Sequence, residues 1–306
     1  MAMKYDILTF FDICADLVVD LGNAIPEFGQ REQYVESFGL EMGGSNCIFA
    51  CQCAKLGLKT TGAGVVGGDA FGHMAKETLL KSGVDISNIK TDGKIKTGLG
   101  LHLQRKDGDR SILTYSGSIG AVAPEDVTDD LLQGARHLHI GSYYLLEGLK
   151  TDLPDIARRA KSFGLSISLD TNWDPLEKWD LPDKLLAYVD IILPNKNEAM
   201  LLTKQTDIES AAKSLAEIVP TVAVKLGADG GLAVSGGSWS KLPAPAVNVA
   251  DTIGAGDSFD AGFVYGYING LPLEDCLGIG VRCGSSSAEK HGGIAGQATF
   301  GDLYVN

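Results

Sequence analysis

Four short apolar runs, at residues 137–140, 165–169, 189–193 and 221–226, alternate with segments whose apolar residues recur at helical spacing. Such runs suit strands covered on both faces, and a parallel neighbour is reached only through a crossover such as a helix. The alternation constrains the chain to the α/β class: stacked βα units, a mainly parallel central sheet and helices on both faces. Residues 5–10 (Tyr-Asp-Ile-Leu-Thr-Phe) supply a further strand for the middle of that sheet. Residues 17–42 break the pattern, with Val, Leu and Phe scattered among Gly, Pro and Glu without a helical period. Strands are also expected at 97–103 and 111–115, joined at 105–110, where Asp107 and Gly108 form a hairpin signal. With residues 17–42 they make a small β-sheet lid over about 14–42 and 96–117. No internal repeat or low-complexity linker divides the 306 residues, so 1–306 is expected to be one domain carrying that lid.

At 44% hydrophobic and 21% charged residues, the composition is that of an ordinary soluble globular protein. A net charge of −13 with no cluster of Lys and Arg argues against nucleic acid or an anionic membrane as partner. Lys4, Asp6, Asp12 and Asp16 interrupt the apolar start, so no signal peptide is expected, and no run is long enough to span a bilayer. The six cysteines form no Cys-x-x-Cys pair and have no histidine at zinc-finger spacing. Cys47 and Cys51 share one helix face and Cys276 and Cys283 another, which points to apolar packing in a reduced cytoplasm.

The chemistry concentrates at residues 248–263, which read as a loop opening into a helix. Pro243 and Pro245 keep the preceding chain extended, and Phe259, Phe263, Tyr267 and Ile268 then form one apolar helix face. Gly254 and Gly256 let the backbone turn tightly and approach a ligand, so free amides and the helix dipole make an anion site. Asp257 stands in the first turn, where a cap is the plainest role for an acid. At 195–198, Asn195 and Glu198 have the spacing of a helix-starting capping box. Gly62, Gly64 and Gly67 make a formal Gly-x-Gly-x-x-Gly, with Asp85 roughly placed for a ribose hydroxyl. The nicotinamide-binding reading is rejected, because these glycines lie inside a strand pattern and the next helix begins only after Asp69.

The run Asp-Thr-Ile-Gly-Ala-Gly-Asp-Ser-Phe at 251–259 resembles the C-terminal signature of the ribokinase (PfkB) family of carbohydrate kinases. The resemblance runs from residue 5 to about 300, through motifs at 43–50, 66–72, 170–175, 194–198 and 225–231. It implies a ribokinase-like three-layer αβα sandwich that transfers the γ-phosphoryl group of ATP, with Mg²⁺, to a hydroxyl of a small sugar or polyol. In that family the residue matching Asp257 is the general base, and the amides matching Gly254, Ala255 and Gly256 form the anion hole. Asp16, Gly43 and Gly44 match positions that meet the sugar, while Asn195, Lys225, Gly227 and Gly230 match the nucleotide side. Glu198 and Asn195 match the pair that organises Mg²⁺ through water. Asp251 and the Ile253 carbonyl match ligands of a monovalent cation such as K⁺.

The chain departs from the family pattern at four places. Phe11 and Ile48 stand where Gly and Asn are usual, with Asn46 two residues early. Asp174 replaces a common Arg, which weighs toward a neutral acceptor, and Gly296 lacks the side-chain oxygen that some relatives place there. His137 and His139, on a strand, are read as structural. A nucleoside kinase of the same fold is the nearest alternative; an NAD-dependent oxidoreductase and a sugar-binding protein without turnover are more distant ones. The lid offers Val18, Val19, Leu21, Phe28, Leu99, Leu101, Leu103, Ile112 and Leu113, more apolar surface than so small a sheet buries alone. A homodimer through the lid is therefore expected.

Overall fold

The computed structural model describes residues 3–107 and 109–304, so Gly108 of the expected hairpin signal lies outside the described residues. The chain begins β1 (Tyr5–Phe11), β2 (Cys14–Asp20), β3 (Ser37–Gly43), α1 (Ser45–Lys55), β4 (Thr60–Gly67), α2 (Ala70–Lys81) and β5 (Ile89–Asp92). Next come β6 (Gly98–Gln104), β7 (Arg110–Tyr115), α3 (Asp129–Gln133), β8 (Ala135–Ile140), α4 (Leu153–Ser162), β9 (Ser166–Leu169) and α5 (Asp183–Leu186). After β10 (Ile191–Ile192) follow α6 (Lys196–Thr203), α7 (Ile208–Ala216), β11 (Thr221–Lys225), β12 (Gly231–Ser235) and β13 (Ser238–Leu242). The last two helices are α8 (Ala255–Ile268) and α9 (Leu273–Ser287).

The central sheet has the order β13-β12-β11-β10-β9-β8-β1-β4-β5. From β5 to β11 every pairing is parallel, and β12 and β13 close that edge as antiparallel strands. The strand expected at 189–193 narrows to Ile191–Ile192, although the Asp190 and Leu193 amides still bond to Ile167 and Leu169. Helices cover both faces. On one, Leu8, Phe10, Leu138 and Ile167 pack against α4, whose Leu153, Ile156, Ala157 and Ala160 follow the spacing of a single buried stripe. On the other, Ile7, Ile191 and Ala223 meet Phe49 of α1, Phe259 and Phe263 of α8, and Leu277 of α9. Each aromatic ring so buried contributes roughly 1.5–3 kcal/mol relative to exposure. The six cysteines are free and buried, as the packing reading requires. Among the described residues, no helix is long and apolar enough to cross a membrane.

A second sheet, in the order β3-β2-β6-β7, forms the lid. β2 and β6 are parallel, and β7 folds back antiparallel on β6, with Gln104 opposite Arg110. β7 is exposed along its whole length and β3 over Ser37–Leu40. The link to the main sheet is short, because β1 ends at Phe11 and β2 starts at Cys14.

The glycines of the rejected dinucleotide pattern have a packing role. Gly62 and Gly64 lie in β4 opposite Thr9 and Phe11 of β1. A Cβ on Gly62 would come within 2.7 Å of both the Phe11 ring and the Thr9 carbonyl oxygen, and one on Gly64 within 3.0 Å of Phe11 Cβ. Gly62→Ala is expected to destabilise the protein by about 1–3 kcal/mol, the usual cost of overpacking. Chemical denaturation measures it, and an unchanged midpoint and slope would contradict the assignment.

Candidate active site

The site is built where β1, β9 and β11 end and α1 and α8 begin. Asp12, in the buried β1–β2 link, accepts the Ser45 and Asn46 amides at 3.1 and 3.0 Å and the Ser142 hydroxyl at 2.6 Å. It thereby caps α1 from outside the helix, since the local N-cap residue is Gly44 at φ 95°. Burial raises the Asp12 pKa, and these hydrogen bonds oppose the rise. Asn172, in the loop after β9, donates to Ser45 Oγ at 2.6 Å and Ser142 Oγ at 2.9 Å, joining a third segment to the same point.

Across from this cluster, Gly254 at φ 72° is the N-cap residue of α8, and among the described residues no side chain caps this end. The Ala255 amide bonds to the Thr252 carbonyl at 3.4 Å, and the positive pole of the helix is left for a ligand. Asp257, in the first turn of α8, is partly exposed. Its pKa is raised to about 7, first by burial, then by Asp170 and Asp12, with Lys225 and Ser45 opposing. A Cβ on Gly254 would lie 2.6 Å from Gly293 Cα and 2.9 Å from Ile48 Cγ2. Ile48, at the position where the family usually has Asn, is therefore an apolar seal between the Gly254 turn and Gly293. Asn46 is equally structural: it accepts the Thr9 hydroxyl (2.6 Å) and the Gly141 amide (2.9 Å) and donates to the Gly141 carbonyl (3.0 Å).

Lys225 closes β11 with its ammonium 3.2 Å from Asp170 and 3.0 Å from Asp260, all three side chains being almost wholly buried. Burial alone would discharge it, but Asp170, Asp260 and Glu198 outweigh that and raise its pKa. The group expected to face phosphates is thus paired with two carboxylates, beside Gly256. Asn195 and Glu198 form the expected capping box: Asn195 Oδ1 accepts the Glu198 amide (3.0 Å), and Glu198 accepts the Asn195 amide (2.8 Å) and side-chain amide (2.6 Å). Burial and Asp170 raise Glu198 to about 7. Gly227 and Gly230 flank a turn after β11; a Cβ on Gly230 would fall 2.0 Å from the Leu242 carbonyl oxygen, so this glycine is required by the neighbouring chain.

Asp16 lies apart from Asp257, on the lid. Gly43 and Gly100 flank it on β3 and β6, where a Cβ would come within 2.4 and 2.5 Å of its carboxyl group, and His102 Nε2 is 3.3 Å away. Asp16 lines a cavity of about 530 Å³ between the lid and the 251–253 and 291–293 loops, with Glu41, Asp251, Ile253 and His291. Asp257 is not among the cavity's lining residues. Asp251 joins the two loops by accepting the Ile253 and Gly292 amides at 3.0 and 3.1 Å. Asp174 is turned into its own loop, accepting the Leu176, Lys178 and Trp179 amides at 2.9, 2.7 and 2.8 Å. His137 and His139 are buried in β8 and share the Ser168 hydroxyl. Burial lowers both pKa values, which keeps the rings neutral.

Sequence reading missed Asp12, Ser45, Ser142, Asn172, Asp170 and Asp260 as parts of this constellation. Asp260 alone carried a usable signal, an acid between Phe259 and Ala261 on the apolar start of a helix, which calls for a buried cation.

A nine-stranded, mainly parallel sheet covered by helices, with a separate four-stranded sheet beside it, is the architecture of the ribokinase-like fold. A structure of Arabidopsis thaliana ribokinase complexed with ribose and ATP superposes with a TM-score of 0.86, at 24% identity, covering 99% of this chain and 98% of that one. A putative ribokinase II from E. coli in complex with ATP and Mg²⁺ gives 0.84 at 23% identity, covering 98% and 97%. Among curated proteins, the chain is 29% identical to 2-dehydro-3-deoxygluconokinase of Bacillus subtilis, over 97% of this chain and 94% of the relative. It is 28% identical to ribokinase of Haemophilus influenzae, over 95% and 94%. The model of the pfkB family of carbohydrate kinases matches residues 8–299, and the chain belongs to that family. It is a phosphotransferase of the carbohydrate kinase type.

The raised Asp257 pKa has a consequence for stability. Unfolded, this carboxyl group ionises near the ordinary value of about 4; folded, it does so near 7. Between those values the native state holds a proton that the unfolded chain releases, so stability falls as pH rises through this window. Asp257→Asn is expected to flatten that fall and to leave the protein more stable at pH 8, by on the order of 1 kcal/mol given solvent screening of a partly exposed group. Urea denaturation at pH 5 and 8 checks it; a loss of stability at both would contradict the charge argument.

Proposed function

We infer that this kinase transfers the γ-phosphoryl group of ATP to a hydroxyl of a small neutral sugar or polyol, with Asp257 as general base. The observation that carries the reading is a carboxyl group titrating near 7 in the first turn of a helix whose N-terminus no side chain caps. The ionised carboxylate takes the hydroxyl proton as the oxygen–phosphorus bond forms and the bond to the β-phosphate oxygen breaks, releasing ADP. The Gly254, Ala255 and Gly256 amides stabilise charge on the transferring group. ATP is a ligand in both fold neighbours described above, with ribose in the Arabidopsis structure and with Mg²⁺ in the E. coli one. Glu198 fits a hold through water, since both its oxygens already accept from Asn195 and keep lone pairs to spare. Mg²⁺ would supply charge neutralisation of the phosphates there. Asp16, with Gly43 and Gly44, meets the acceptor's hydroxyls. Asp251 and the Ile253 carbonyl are the candidate ligands of a monovalent cation, tested by turnover in K⁺ against Na⁺.

A neutral acceptor is supported by the cavity wall, where Asp16, Asp20, Glu41 and Asp251 outnumber Arg105 and Lys106. Asp257→Asn is expected to keep the fold and ATP binding while kcat falls by about 10²–10⁴. In the wild type, kcat/KM should decline about tenfold per pH unit below pH 7, as the base protonates. A coupled ADP-release assay over neutral sugars, sugar phosphates, nucleosides and 2-dehydro-3-deoxygluconate tests both parts. Near-wild-type turnover by the variant removes Asp257 from the mechanism, and a lower KM for a sugar acid or sugar phosphate than for every neutral sugar removes the acceptor class.

We also infer that the lid closes over the acceptor and pairs with the lid of a second copy. Phe38, Leu40, Ile112, Leu113 and Tyr115 are exposed on its two outer strands, an apolar surface that the chain does not cover. Closure would keep water from competing for the phosphoryl group. Light scattering should give twice the chain mass, and hydrogen exchange across β6 and β7 should slow on adding substrate; a monomer mass or unchanged exchange refutes the corresponding half.

A further inference from the structure

Lys225 is tied into the site by three elements. Its backbone closes β11, where the amide bonds to the Pro194 carbonyl. Its ammonium reaches Asp170, at the end of β9, and Asp260, one turn beyond Asp257 on α8. The salt bridge to Asp260 runs from the sheet to the helix that carries the base. Among the described residues Asp260 Oδ1 has no hydrogen-bond partner, and Lys225 is the group that compensates this buried acid. A cation held between two carboxylates out of water has little freedom to turn toward a third anion, because leaving would strand both acids. Beside Gly256, it still lies close enough to act on Asp257 through space.

We propose that Lys225, clamped between Asp170 and Asp260, is a positioning residue that sets the charge state of Asp257 and anchors α8 one turn beyond it, and is not a phosphate ligand. The inference rests on Asp257 as the base and deepens that reading. The other groups that face Asp257 are accounted for. Asp12, from the β1–β2 link, adds negative charge; the Ser45 hydroxyl of α1 opposes the rise in the Asp257 pKa; the Cys47 thiol, also on α1, is neutral and pushed up by burial. α9, the other helix on α8, carries Glu274 and Asp275 at its exposed start, and its Arg282 donates to the Asp302 and Leu303 carbonyls. Among the described residues, the cation acting on Asp257 is thus Lys225, and Asp170 acts on it more strongly than Asp12. Removing one or the other must move the base in opposite directions, a signature that loss of packing does not produce.

The test is a titration of protein labelled with ¹³C at the aspartate carboxyl carbon, with Asp257 assigned by the loss of its resonance in Asp257→Asn. In Lys225→Met, of similar length and uncharged, the Asp257 midpoint should rise by about one unit or more; in Asp170→Asn it should fall by about one unit. The acid limb of kcat/KM should follow each midpoint, with KM for ATP within about threefold of wild type. Midpoints that stay put overturn the proposal. So does a KM for ATP raised tenfold or more in Lys225→Met with the midpoint unmoved, which would make Lys225 a phosphate ligand. If Lys225→Met does not fold, Asp170→Asn decides alone, a lowered midpoint supporting the proposal and an unmoved one overturning it. Should the midpoints move as expected while the acid limb does not follow, the charge coupling stands and Asp257 as the base falls.

Discussion

Asp12, Asp170, Asp257 and Asp260 converge where β1, β9 and β11 end against the start of α8, and burial and mutual repulsion disfavour four charges in one place. Each acid is compensated differently. Asp12 has two amides at the start of α1 and the Ser142 hydroxyl. Asp170 and Asp260 share Lys225. Asp257 has Ser45 and the field of its own helix start. Burial raises Asp12, Asp257 and Asp260 alike, Asp257 to about 7, and each rise is opposed by what its neighbours supply.

The central sheet was legible because parallel strands buried on both faces leave continuous apolar runs, and the helices between them leave periodic ones. The helix start at 254–257 was legible for a similar reason, since glycines and an acid ahead of an apolar stripe are local signals. What could not be read were partners far apart in the chain. Lys225 looked like a basic residue at a nucleotide loop until the fold brought Asp170 and Asp260 to it. Asp12 read only as a charge interrupting the apolar start, and it caps a helix more than thirty residues away. Asn46 drew attention as a displaced polar contact, and its bonds to Thr9 and Gly141 join α1 to β1 and the end of β8. Side chains of one type serve either role, and only tertiary placement separates them.

The lid follows a different logic. Asp16 is carried on β2, and the strands on either side supply Gly43 and Gly100 so that its carboxyl group has room. The Asp16 carboxyl group is thereby tied to the register of a small sheet, whereas Asp257 is carried by the main domain. Two residues, Asp12 and Ile13, connect β1 to β2, and Asp12 is itself fixed to α1. The link between the two sheets therefore runs beside the cap of α1, next to Ser45.

Phe11 shows how a departure from a family pattern is to be weighed. A phenylalanine where the resemblance calls for glycine suggests an altered substrate loop. The ring is fully buried, however, and lies over Gly62 and Gly64 on the adjacent strand, with Phe11 opposite Gly64 in the β1–β4 register. Volume added at one position is matched by volume absent at its neighbours, which is how a close-packed interior accommodates a large side chain without strain. The exchange is between β1 and β4, inside the core. Specificity must then be sought on surfaces that remain open: the Asp16 wall of the lid cavity and the loops at 251–253 and 291–293 that face it.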